Sequence, residues 1–225
     1  MEKLFIWDID GTLLQCKGIG KIALNKTFYE IYNIKNAFDK ISMAGMVDSV
    51  ILGKAYDMNN IKEKNYSNFF NEYCYYLSEA VSENKNAFAA PGIKKLMEFL
   101  KKSRTIYNIL GTGNIELGAR IKLTKDNLNR YFKIGSFGDE PYKRWQLVNN
   151  AIVNSKNFFG IPFNNNNIYV IGDTPIDIEA AKKTNVKSVA VATGGYSINE
   201  LSEYNPDYIT ENFSNFNIIR EIISE

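Results

Sequence analysis

Histidine is missing altogether from this 225-residue chain. Without imidazole there is no Ser-His-Asp or Cys-His catalytic pair, no histidine zinc site and no phosphohistidine. Carboxylates, lysines and backbone amides must carry any chemistry. Cysteine is scarce too: Cys16 and Cys74 are the 2 present, and they form no CxxC or zinc-like cluster. One disulfide would be a poor framework for a chain of this size, so both are read as ordinary thiols. Charge of one sign is also lacking, with 27 basic against 25 acidic residues and a net charge of +2. No block marks a nucleic-acid or membrane surface, which leaves small molecules as the expected partners. The apolar stretch at residues 4–7 is cut by Asp8 long before a signal-peptide core or membrane span could form. A cytoplasmic location, with no membrane and no nucleic-acid partner, is the expectation.

What the chain does have is a sizeable apolar fraction, 45% of residues, enough for a buried core in one or two domains. From about residue 18 to residue 86 there are no convincing strands. Helix-spaced apolar residues appear instead, as in "IALNKTFYEIY" and "NYSNFFNEYCYYLSEAV". The aromatic stripe Phe69, Phe70, Tyr73, Tyr76 and Leu77 reads as packing. Beyond Pro91, helical patterns alternate with short β-rich runs. "PGIKKLMEFLKKS" is followed by "TIYNILGTGN", a helix over residues 115–129 by "FKIGSFG", "RWQLVNNAIVNS" by "IYVIGD", and "TPIDIEAAKKT" by "SVAVAT". Strands alternating with helices of this length predict a parallel sheet covered on both faces, a Rossmann-like doubly wound α/β core. The predicted division is a core of residues 1–15 and 88–225 with a helical insertion at 16–87.

Right-handed crossovers put the strand C-termini on one edge, where ligands bind in open α/β sheets. The unusual residues fall there: Asp8 and Asp10 in "FIWDIDGTLL", Thr112 in "LGTGN", Asp173 and Asp177 in "VIGDTPID", and Thr193, Gly194 and Gly195. Several carboxylates at one mouth, with no histidine, suit a hard divalent cation, magnesium above zinc or copper. Asp8 is then the candidate nucleophile towards a phosphate ester. Asp10 can move a proton to the leaving group and later from water. Gly11 lets the chain leave the strand beside a ligand, with nearby amides facing phosphate oxygens. Thr112 and the Gly113 amide can donate to phosphate, and Lys143 or Arg144 in "EPYKRWQLV" can place a cation against it. Thr112 or Asn114 could equally be a helix cap, and Thr174, Pro175 and Asp177 form a good helix start with no function attached. Asp173 is expected to stand exposed at its strand end and to bind the metal.

"DIDGTL", "GTGN", a basic residue before a helix and "VIGDTPIDIEAA", in that order, resemble the motifs of the haloacid dehalogenase superfamily over nearly the whole chain. The insertion resembles that family's helical C1 cap, and "VATGGYS" with "NPDYIT" is similar to its phosphoglycolate-phosphatase-like members. The resemblance implies Asp8 as nucleophile, Asp10 as general acid/base, Thr112 as phosphate ligand and Asp173 as a magnesium ligand assisted by Asp177. The metal would also be held by Asp8 and by the Asp10 carbonyl. It implies a Lys-Pro pair that this chain lacks, so Lys143 and Arg144 both stand, with the helix spacing closer to an arginine subgroup. Asp10 implies phosphoryl transfer, because dehalogenases lack that acid. A mutase of the family would use a cap histidine, which is absent. The expected enzyme is a phosphatase of small phosphate monoesters, monomer or homodimer. Phosphoglycolate, sugar phosphates and nucleoside monophosphates stay open as substrates, and Lys17, Lys21, Met43 and Tyr56 as specificity residues; a phosphotransferase or nucleotidase is the alternative activity, ahead of a non-catalytic phosphate-binding or signalling protein.

Overall fold

The computed structural model describes residues 1–16, 18–83 and 88–225. In chain order the elements are β1 (Lys3–Trp7), β2 (Leu14–Gln15), α1 (Ile19–Tyr32), α2 (Asp48–Met58), α3 (Tyr66–Glu83), β3 (Phe88–Ala89), α4 (Ile93–Leu100), β4 (Ile106–Gly111) and α5 (Glu116–Thr124). There follow β5 (Gly135–Ser136), α6 (Arg144–Phe159), β6 (Ile168–Gly172), α7 (Pro175–Lys183), β7 (Lys187–Val191), α8 (Ile198–Ser202), β8 (Tyr208–Thr210) and α9 (Asn217–Ser224). The main sheet has six strands in the order β5-β4-β1-β6-β7-β8, and every neighbouring pair is parallel.

β1 is central and wholly buried, Trp7 lying opposite Leu110 on one side and Ile171 on the other. Because side chains alternate along a strand, KLFIW feeds two cores. Phe5 and Trp7 join the cluster containing Leu96, Ala119 and Ile219, so α4, α5 and α9 cover that face. Leu4 and Ile6 join Val148, Ala151 and Ala181 under α6 and α7. Trp7 spends its one polar group within the sheet, Nε1 donating to Asn108 Oδ1 at 2.9 Å. This is the doubly wound sheet that strand–helix alternation predicts.

Between β2 and β3, which pair with each other as a small antiparallel ribbon, come the helices α1, α2 and α3. Phe28 organises their packing: its ring lies 5.6 Å from Phe38, 6.0 Å from Tyr56 and 5.9 Å from Phe69. Offset and edge-on ring pairs of this kind add about 0.5–1.5 kcal/mol each beyond the area they bury. The stripe on α3 therefore packs, though Tyr73 also reaches the cavity described below.

One predicted helix differs. Instead of continuing to residue 129, α5 gives way at Lys125 to a 3-10 segment, Lys125–Tyr131, with Asp126 and Asn127 in the left-handed region at φ 58° and 56°. Asp and Asn tolerate that region better than other side chains. The reason to adopt it lies outside the helix: the Asp126 carboxylate accepts from Ala89 N at 2.7 Å and pairs with Lys94, tying the turn to the β2–β3 ribbon. The ribbon, β8 and α9 have no counterpart in the sequence-based expectations.

Candidate active site

β1 ends at Trp7, but Asp8 N still donates to Ile171 O at 2.9 Å, so Asp8 is fixed by the sheet. The chain then turns tightly, with Thr12, Leu13 and Leu14 N–H groups all directed at Ile9 O. Asp10 therefore sits in a turn and not on extended strand. Gly11 has φ +82°, and a Cβ there would lie 2.3 Å from Asp173 Oδ2, so conformation and space both exclude a side chain. Its amide is not available to phosphate, contrary to expectation: Gly11 N donates to Leu14 O at 2.8 Å, closing the turn.

The first residue of α6 supplies the cation. Arg144 Nη2 stands 2.9 Å from Asp8 Oδ1 and 2.8 Å from Asp177 Oδ1, with Nε also donating to Asp177 at 2.8 Å. Lys143, the competing choice, is exposed at the helix cap and lies outside the cavity lining. A β-region residue before a helix points away from the face its successor occupies, and only one of the two can turn inward. On α7, Asp177 Oδ2 accepts from Thr174 N at 3.2 Å and Thr174 Oγ1 at 2.7 Å. The helix start is thus real, and it also holds Arg144. Buried ion networks seldom add net stability over apolar packing, so charges placed here need another reason.

Asp173 is buried, 5% exposed, where the sequence suggests exposure. Gly194 lies against it, and a Cβ there would come within 1.6 Å of Oδ2. Burial first, then Asp8 and Asp177, push the Asp173 carboxyl up to about 8. Burial also raises Asp8; Arg144 works against this and Asp177 with it. One oxygen from each of Asp8, Asp173 and Asp177 lies within 4.8 Å of the others. The donors are all oxygens, and the acids are crowded enough to hold a proton at neutral pH. Crowded oxygen donors of this kind could hold a small hard divalent cation, whose charge would offset their repulsion. Both oxygens of Asp177 already accept hydrogen bonds, which leaves Asp8 and Asp173 as the better direct ligands.

Thr112 follows β4 and is fully buried, its hydroxyl accepting from Asn114 Nδ2 at 2.8 Å. Neither residue caps α5. Asn114 Nδ2 also donates to Asp10 Oδ2 at 2.8 Å. A second buried cation, which the sequence reading did not single out, completes the group: Lys122 Nζ lies 2.7 Å from Asp10 Oδ2 and 2.6 Å from Asn114 Oδ1. Burial alone would raise the Asp10 carboxyl, yet Lys122 and these hydrogen bonds hold it below the ordinary value. Helical spacing from Gly118 and Ala119 is the one sequence signal for it, and that spacing names no partner. On α5 the buried positions are Gly118, Ala119, Lys122 and Leu123, so a lysine stands inside the apolar stripe.

The helical insertion docks directly on this edge. Asp48 N donates to Gly113 O at 2.7 Å and Ile115 N to Asp48 Oδ2 at 2.9 Å, while Glu116 N donates to Asp139 Oδ2 at 3.0 Å, so two carboxylates, one of them from α2, satisfy the start of α5. Gly113 lines the cavity and admits the insertion's backbone: a Cβ there would lie 2.1 Å from Met46 O. Burial pushes the Asp48 carboxyl up to about 6. Between insertion and sheet edge lies a cavity of about 650 Å³ that collects Asp8, Asp10, Gly11, Thr112, Gly113, Arg144 and Asp173. Lys21 and Met43 also line it, Tyr56 packs away from it with its hydroxyl on Asn65 O, and Lys17 lies outside the described residues. Cys16 and Cys74 are free and buried. Among the described residues no helix is long and apolar enough to cross a membrane.

Comparison with known proteins bears on the fold and the family. Solved structures with the same fold include a hydrolase from Pseudomonas syringae, 23% identical with a TM-score of 0.73 over 98% of this chain and 99% of that one. A beta-phosphoglucomutase from Clostridium difficile is 18% identical, with a TM-score of 0.72 over 100% and 98% of the two chains. A predicted phosphoglycolate phosphatase from Haemophilus somnus is 19% identical, with a TM-score of 0.69 over 97% and 98%. No curated protein matches the sequence. The family model for haloacid dehalogenase-like hydrolases matches residues 5–191, from the strand that carries Asp8 to the end of β7. The chain belongs to the haloacid dehalogenase-like hydrolases.

Proposed function

We propose that the protein is a magnesium-dependent phosphatase that hydrolyses a small phosphate monoester through an aspartyl-phosphate on Asp8. The observation that carries this reading is the pair of acids after β1 with opposite surroundings: Asp8 bound by Arg144 beside Asp173, and Asp10 bound by Lys122 and Asn114. Residues 1–15 and 88–225 act as the catalytic core and residues 16–87 as its cap.

Asp8 Oδ2 attacks phosphorus while Arg144 keeps Oδ1 turned towards α6. Arg144, the Thr112 hydroxyl and the Gly113 amide receive the phosphate oxygens, placing donors where charge builds in the transition state. Asp10 gives a proton to the departing oxygen and then takes one from the water that attacks the aspartyl-phosphate. Lys122 and Asn114 fix its Oδ2, and its lowered pKa suits the second half-reaction, where it must be a base. Magnesium, held by Asp8, Asp173 and the Asp10 carbonyl, would neutralise the carboxylates and polarise the phosphoryl group. Asp177 acts by holding Arg144. The seated insertion excludes water from the reacting groups.

The test is release of inorganic phosphate from 4-nitrophenyl phosphate with magnesium and with EDTA. Uncatalysed monoester hydrolysis is slow enough, with accelerations up to ~10²¹ on record, that even a poor enzyme gives a signal. Turnover is expected with magnesium and not with EDTA; turnover indifferent to EDTA contradicts the reading. The same first half-reaction would serve a phosphotransferase or nucleotidase, and phosphate appearing in water without an added acceptor separates hydrolysis from transfer.

A further inference from the structure

The helical side of the cavity is mostly apolar, its polar side chains being Lys21, Asp48 and Tyr73. Met43, Ala44 and Met46, from the segment joining α1 and α2, line it with partly exposed side chains, while Ile19, Leu24 and Ile51, also in the lining, are almost wholly buried. A cavity of about 650 Å³ lies in the range that takes drug-sized ligands, well beyond a phosphate with a two-carbon acid attached.

The cations lining the cavity, among the described residues, are Lys21, Lys122 and Arg144, and each is already matched to a carboxylate. Arg144 is bound to Asp8 and Asp177, and Lys122 to Asp10. Lys21 Nζ donates to Asp39 O at 3.2 Å and stands 3.6 Å from the Asp39 carboxylate. Two polar side chains of the lining are tied to the chain itself, Gln15 Nε2 donating to Thr193 O at 3.2 Å and Thr193 Oγ1 to Gly11 O, and the Tyr73 and Tyr196 side chains line it as well. A second carboxylate or phosphate on the substrate would lose water against this mostly apolar surface with no unpaired cation among the described residues to receive it. A sugar's hydroxyls would meet the same wall.

We propose, granted the phosphatase reading above on which this rests, that the substrate is a phosphate monoester whose leaving group is an uncharged, largely apolar body of aryl or alkyl type. Phosphoglycolate and simple sugar phosphates are the wrong class for this wall.

The test compares benzyl phosphate, phosphoglycolate and glucose 6-phosphate, all esters of primary alcohols, so that leaving-group reactivity does not decide the order. Phosphate release is measured with magnesium present. The expected kcat/KM for benzyl phosphate exceeds the other two by at least about tenfold, mostly through KM, the scale on which apolar pockets discriminate. Equal or better turnover of phosphoglycolate or glucose 6-phosphate overturns the substrate class and leaves the phosphatase reading standing. No release from any ester, 4-nitrophenyl phosphate included, overturns both. Met43→Lys, at a half-buried position on the wall, adds a cation and should move the benzyl phosphate to phosphoglycolate ratio about tenfold towards phosphoglycolate. An unchanged ratio in a folded, active variant counts against the proposal.

Discussion

The sheet edge and the helical wall that faces it border the same cavity with opposite chemistry. On the edge, Asp8, Asp10, Asp173, Asp177, Lys122 and Arg144 are all brought close, and their partners are one another. On the wall, Ile19, Leu24 and Ile51 back onto the aromatic cluster around Phe28, and the polar contacts are mostly backbone. The difference separates two jobs. Charges held by a rigid parallel sheet can be placed to within the tolerance that phosphoryl transfer needs: Asp8 and Asp173 follow strand ends, Arg144 and Asp177 lie in first helical turns, and Lys122, in the last turn of α5, is fixed by Asp10 and Asn114. An apolar wall sorts substrates by what it refuses to solvate, and it does so coarsely.

The comparison can be broken from either side. The largest expected effect is on the edge: Asp10→Asn should lower kcat by about 10²–10⁴-fold, measured as phosphate release, while magnesium still raises the melting temperature. Retained turnover would remove Asp10 from proton transfer. On the other side, Phe69→Ala deletes a fully buried ring from the insertion, and denaturant unfolding should show a loss of about 3–5 kcal/mol. A change under about 1 kcal/mol would mean that the aromatic cluster does not hold the wall together. Lys122→Met tests whether the second cation positions Asp10. A fall of about 10–100-fold in kcat with KM little changed is expected, the scale seen when residues supporting a catalytic group are removed. Lys122→Arg should recover part of it, and equal loss in both parameters would point to substrate binding instead.

The smallest effect concerns the seam between the regions. Asp48 titrates at about 6 when folded against an ordinary 3.8, so between those values the folded protein holds the proton more tightly than the unfolded chain. Stability therefore falls as pH rises through that window and stays lower above it. Asp48→Asn should flatten the pH dependence and gain about 1–2 kcal/mol at neutral pH, read from melts at several pH values. A variant with the wild-type slope would mean that Asp48 is not the responsible group.

Local patterns carried most of what was legible. "DIDGTL" and "VIGDTPID" are short, and each combines a strand end with turn residues, so Asp8, Asp10, Asp173 and Asp177 can be placed on one edge from sequence alone. The choice of Arg144 over Lys143 depends on which way one helix start faces, which the spacing to Leu147 and Ala151 only hinted at. Lys122 was missed because its partner, Asp10, is 112 residues away and no local motif links them. Gly11 was misread for a related reason, since an amide's availability depends on which turn it closes. The break at Asp126 answers to Ala89 and Lys94, and β8 and α9 are short elements that exist because the sheet and Phe213 give them something to pack on. Propensity has little to say where tertiary partners decide.

The most direct test of the central claim is to trap the covalent intermediate. The Asp10→Asn variant is incubated with magnesium and 4-nitrophenyl phosphate, whose leaving group departs without a proton, then quenched in acid and digested, and its peptides are analysed by mass spectrometry with and without hydroxylamine. One phosphoryl group on Asp8, discharged by hydroxylamine and absent from Asp8→Asn, is the predicted result. Phosphate release by the wild-type enzyme with no label on Asp8, or a label on another residue, would contradict it.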